Sequence, residues 1–82
     1  MSRYVTLWKQ DETDKFVVYL YGPDKANTGT IKINKSSGEI SGTSIKGMDP
    51  DDSWFFHGML AHSRAKKMFK EGEYPEKDSA IT

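Results

Sequence analysis

The chain has 82 residues, twelve basic against twelve acidic side chains, and no cysteine. A length of this order makes one domain that buries only roughly 60 to 65% of its unfolded surface. The missing thiols exclude disulfide staples and thiolate metal sites, and the cancelled charge excludes a strong electrostatic footprint for nucleic acid or an anionic membrane. Along the chain the charge is mildly uneven, with seven Lys/Arg against five Asp/Glu in residues 1–48 and five against seven in residues 49–82. No basic segment followed by an apolar run opens the sequence, and no apolar stretch is long enough to span a bilayer. A cytoplasmic protein with no membrane partner is therefore expected, and the lack of cysteine fits a reducing compartment.

Residues 3–9 (RYVTLWK) alternate, with Val5 and Leu7 on one face and Tyr4, Thr6 and Trp8 on the other, which predicts a first strand. The polar run Gln10 to Asp14 has the composition of a hairpin connection. A second strand starting at Lys15 places Phe16, Val18 and Leu20 on one side and Val17, Tyr19 and Tyr21 on the other. It is apolar on both faces and reads as central in a sheet. Gly22-Pro23-Asp24 opens a turn, because proline sets the first corner and aspartate accepts backbone amides beyond it.

Residues 28–35 (TGTIKINK) turn Ile31 and Ile33 inward and Thr30, Lys32 and Asn34 outward, and Ser36-Ser37-Gly38 joins them in a tight hairpin to residues 39–46 (EISGTSIK). Ile40 and Ile45 have opposite parity in this fourth strand, so a bulge is expected, with Gly42 as its natural place.

Asp49-Pro50 is a helix start: the carboxylate accepts free first-turn amides, and a proline at the first helical position loses nothing by lacking one. Asp51 and Asp52 suit the positive end of the helix dipole, and Lys66, Lys67 and Lys70 the negative end. Gly72 supplies the left-handed stop and Pro75 prevents resumption. At about 100° per residue, Trp54, Gly58, Ala61, Ala65, Met68 and Phe69 form one stripe bordered by Phe55 and His62, the expected core face. Phe56, Met59 and Leu60 project to the other side, so the first half of the helix is apolar nearly all round.

The predicted fold is α+β in two layers: a four-stranded antiparallel meander with one C-terminal helix packed on one face (β-β-β-β-α). Residues 1–72 form the domain and residues 73–82 a tail, with Tyr74 and Ile81 able to anchor it on the helix or a sheet edge. A single helix covers one sheet face. The other is expected to display Tyr4, Thr6, Trp8, Val17, Tyr19, Tyr21, Thr30, Lys32 and Asn34.

These surfaces carry the functional expectation. Contiguous apolar patches on small proteins mark interaction sites, and association is a common remedy for a limited core. A non-enzymatic protein-interaction module is expected, one that forms a homodimer through the sheet face (Tyr4, Trp8, Val17, Tyr19, Tyr21, Lys32). Phe56, Met59 and Leu60 then form a second contact surface, open to a second protein or to the tail. The competing expectation is an accessory protein for single-stranded nucleic acid, with Trp8, Tyr19 and Tyr21 stacking on bases and Lys9, Lys15 and Lys32 on phosphates. Zero net charge and the absence of a glycine-rich aromatic strand motif argue against it.

No catalytic residue, cofactor or metal ligand is expected. Asp49, Asp51, Asp52 and His57 are the only acidic cluster near a histidine, and they lack the calcium-loop pattern. His57 and His62, five apart, point about 140° away from each other on a helix and cannot chelate one ion. The serines lie outside any nucleophile elbow, and no phosphate-binding glycine pattern occurs.

Overall fold

The computed structural model describes residues 4–81, without the Ile81 side chain. Arg3 and Thr82, at the outer ends of the expected first strand and tail, lie outside the described residues. The strands are β1 (Tyr4–Glu12), β2 (Phe16–Asp24), β3 (Asn27–Asn34), β4 (Ile40–Gly42) and β5 (Lys77–Ile81). Between β4 and β5 runs one helix made of α1 (Pro50–Ser53), a π-helical turn (Trp54–Gly58) and α2 (Met59–Glu71). The sheet order is β4-β3-β2-β1-β5, antiparallel throughout, with the helix against one face. The α+β two-layer fold and its four-strand meander are as expected. The fifth strand is an addition: the segment read as a tail pairs with β1 at the sheet edge, from Tyr4↔Ile81 to Trp8↔Lys77.

β2 is central, and the two faces of this strand are the reverse of the expectation. Val17, Tyr19 and Tyr21 are buried on the helix side, together with Val5, Leu7, Ile31 and Ile33, while Phe16, Val18 and Leu20 are half-buried on the other side. Cross-strand pairing requires this, since Tyr21 lies opposite Leu7, Tyr19 opposite Ile31 and Val17 opposite Ile33. A buried tyrosine also needs a partner for its hydroxyl. Tyr19 donates to the Pro75 carbonyl at 2.6 Å and Tyr21 to the Thr43 carbonyl at 2.7 Å, both at the margins of the core. Alternation could not choose between two apolar faces. The rims, which supply acceptors on the helix side, did.

The same hydroxyl explains where β4 stops. The Thr43 carbonyl is taken by Tyr21, and the Thr43 hydroxyl stands in for it by accepting the Thr30 amide at 3.1 Å. No bulge forms at Gly42. The strand ends there, and the irregular chain beyond it carries Ile45 into the core, 2% exposed, on the same side as the half-buried Ile40. Gly29 makes room beneath the Tyr21 ring, since a Cβ there would lie 2.9 Å from the ring's Cε1 and 2.5 Å from the Thr43 carbonyl oxygen.

The helix begins as expected. Asp49 accepts the Asp51 amide at 2.9 Å, and Pro50 occupies the first helical position. It ends at Gly72 with φ 71°, whose amide returns to the Met68 carbonyl at 2.8 Å. The difference lies in the first two turns. The Met59 amide donates to the Trp54 carbonyl, a five-residue step, so one more residue fits in that turn than in an α-helix. Everything N-terminal to Gly58 is thereby rotated relative to the core stripe. Ser53 takes the inward place, 1% exposed, where its hydroxyl accepts the Ile45 amide at 2.9 Å. Trp54 and Phe55, expected on or beside the core stripe, are 47% and 53% exposed. Ala61, Ala65 and Met68 remain inside as expected, Phe69 packs against the core margin, and Leu60, expected on the outer side, is 9% exposed and part of the core.

The orientation of β2 is directly testable. Tyr19→Ala empties a fully buried site and should cost about 3–5 kcal/mol, whereas Leu20→Ala on the opposite face should cost clearly less. Equal shifts of the two denaturation midpoints would contradict the assignment.

Candidate interaction surfaces

Two apolar surfaces lie on opposite layers of the fold. The first is the sheet face away from the helix. Pairing sets Trp8 beside Leu20 and Leu20 beside Thr30, with Lys77 on the other flank of Trp8. Val18 stands next to Lys32, and Phe16 continues the β2 row. Trp8, Phe16, Val18 and Leu20 are half-buried against one another, and Tyr4 is 55% exposed. Among the described residues no element packs over this face; the hydrophobic side chains that join the core from its margin are Ile40, Met48, Phe69, Tyr74 and Ala80, all on the helix side. The Lys32 ammonium sits 4.0 Å from the Phe16 ring centroid, a cation–π contact that keeps its stem on the apolar surface.

Of the side chains expected on this face, Tyr4, Trp8 and Lys32 lie there. Val17, Tyr19 and Tyr21 do not: they are core residues facing the helix, for the pairing and hydroxyl reasons given above. Phe16, Val18 and Leu20 take their places. A stacking role for Tyr19 and Tyr21 is thereby removed. Lys9 is also on the helix side, where it pairs with Glu12 at 2.7 Å.

The second surface is the outer side of the helix. Phe56 and Met59 are exposed there, beside Phe55, whose ring meets Phe56 edge-on at 5.2 Å. Leu60 belongs to the core instead. Trp54 lies on the flank, edge-on to His62 at 4.9 Å, and the two help to line a small cleft of about 110 Å³ with Tyr21, Thr43, Ser44 and Ser53. Burial pushes the His62 imidazole below its usual pKa, and Lys66 adds to the effect. Among the described residues no group of His, Cys, Asp and Glu could hold a metal ion, and no helix is long and apolar enough to cross a membrane.

The ion-paired charges tie elements of the fold together. Arg64 holds Asp78 through two hydrogen bonds, at 2.7 and 3.1 Å, which ties β5 to the helix. Glu12 receives Lys35 at 2.6 Å and Lys9 at 2.7 Å, linking β1 to the end of β3. Those two ammonium groups, Lys35 first, hold the Glu12 carboxyl down at about 2. A carboxylate with a lowered folded-state pKa contributes stability above its unfolded value of about 4.5, and loses it as pH falls through about 2. Glu12→Gln should therefore lower the thermal midpoint near neutral pH and make no difference below pH about 2, and the gap should shrink in high salt because the group is exposed. A pH-independent gap would rule out the ion cluster as its cause.

No protein-family model, curated protein or solved structure matches the chain, so its function has to be read from these surfaces.

Proposed function

We propose that this chain is a small non-enzymatic interaction module that associates with a second copy through the open face of its sheet. One observation carries the reading: β2 is apolar on both sides, the helix takes only one of them, and Trp8, Phe16, Val18 and Leu20 lie together on the other, with Tyr4 further along β1 beyond Thr6. A one-helix layer of this size gains a second core by burying that surface against its own copy, and a two-fold contact needs only that the patch be complementary to itself. The flanking Lys32 and Lys77 keep such a contact polar at its margin, as non-obligate interfaces are.

Leu20→Glu and Trp8→Glu place a charge in the centre of the patch without touching the helix-side core. Light scattering over a dilution series should find the wild type associating and both variants reduced in mass with their circular dichroism unchanged. A wild type that stays monomeric at high concentration would overturn the reading. Lys32 and Lys77 beside the half-buried Phe16 and Trp8 rings make a single-stranded oligonucleotide the competing occupant. A salt-sensitive gel shift lost in Trp8→Ala would favour it instead.

A further inference from the structure

The outer side of the helix has a charge order that its apolar patch does not explain. Asp51 and Asp52 lie at its start, Phe55, Phe56 and Met59 follow, and then Ser63, Lys66, Lys67 and Lys70, with the exposed Glu71 at the flank of its last turn. Acidic, apolar and basic segments therefore succeed one another along one stripe. Among the described residues, Asp51, Asp52, Lys66, Lys67 and Lys70 make no ion pair with any side chain; the ion pairs present are those of Lys9, Lys35 and Arg64. A shallow groove of about 490 Å³ crosses the basic half, lined by Gly38, Ser63, Lys66, Lys67, Phe69 and Lys70. Its floor is aromatic: Gly38, with φ 79°, lets the Phe69 ring approach so closely that a Cβ there would lie 2.7 Å from it.

A stripe ordered in this way is complementary to itself when reversed. We propose that the helix is a second two-fold contact between copies of this chain, packed antiparallel with Met59 at the axis. In that register the Asp51/Asp52 pair comes opposite the Lys66/Lys67 pair of the second copy. Phe55 meets the level of Ser63 at the mouth of the groove, and symmetry makes each contact twice. A parallel arrangement would set acid against acid and base against base. The antiparallel one also brings the two helix dipoles head to tail, which is the favourable sense.

This contact goes beyond the sheet-face association and does not depend on it. The two surfaces are on opposite layers, so a chain that uses both assembles beyond a dimer, through alternating two-fold contacts. Removing either one should stop assembly at the dimer made by the other.

The test is a charge exchange in the Leu20→Glu background, which isolates the helix contact. One variant carries Asp51→Lys and Asp52→Lys, the other Lys66→Asp and Lys67→Asp. Each alone sets like charges against each other at both ends, and its dimer should weaken by about tenfold or more. Mixed one to one, the two variants restore both attractive ends and should form a heterodimer near the wild-type affinity, seen as a doubled mass in light scattering. A merely structural role for these charges would not be rescued by mixing. Because the chain has no cysteine, Met59→Cys provides a second readout: mild oxidation should yield a disulfide-linked dimer, and Lys25→Cys in the loop after β2 should not. A mixture that remains monomeric, or a Met59→Cys chain that cross-links no faster than Lys25→Cys, overturns the proposal. Should Leu20→Glu fail to fold, the same mixing and cross-linking are done on the native sheet face, where rescue and selective cross-linking support the contact and their absence overturns it.

Discussion

The orientation of two tyrosines organises this protein. Tyr19 and Tyr21 lie side by side in phase on the central strand with their rings buried, and a buried phenol is stable only where its hydroxyl finds an acceptor. The acceptors are backbone carbonyls at opposite margins of the core. Pro75, just before β5, receives Tyr19, and Thr43, just after β4, receives Tyr21. Each bond fixes the place of a peripheral segment. At one margin the chain leaving the helix is held where it can pair with β1. At the other, β4 gives up its ladder after three residues, and the freed segment delivers Ile45 to the core.

The helix adapts to the same core. Ser53 must reach the Ile45 amide, while Gly58 and Ala61 must lie close to the sheet. The π turn between them reconciles the two by taking up one more residue. Its consequence is on the outside, where Trp54 and Phe55 are turned away from the core and join Phe56, already on the outer side. The exposed apolar surface of the helix is thus a by-product of how its buried side is satisfied. Its acidic and basic flanks were already required by the helix dipole, which is how an ordinary capping pattern comes to resemble one half of a symmetric interface.

Both candidate surfaces follow from an imbalance between layers. Five strands present two faces, and one helix can cover only one of them. The helix in turn carries more apolar side chains than one sheet face can receive. No further layer among the described residues hides either surplus, and the proposed association with a second copy is one way to cover it at no cost in chain length.

Much of this was legible in the residues. Local chemistry is strong at Asp49-Pro50, at Gly38 and at Gly72, because capping and left-handed turns admit few residue types. The helix limits and the β3–β4 connection therefore stood in the sequence. The alternation of β1 and β3 likewise marked Val5, Leu7, Ile31 and Ile33 as core. β5 was not legible, since KDSAI has no apolar period and becomes a strand only through pairing with β1 and the Arg64–Asp78 bonds. The face of β2 was not legible either. Gly29, which clears space for the Tyr21 ring, was the one hint, and its meaning depends on knowing what lies across the strand. The sequence by itself determined four of the five strands, the helix, their order and that more apolar surface exists than one layer can cover. Only the tertiary structure decided which surface that is, because it depends on hydroxyl acceptors and a π turn set by residues distant in the chain.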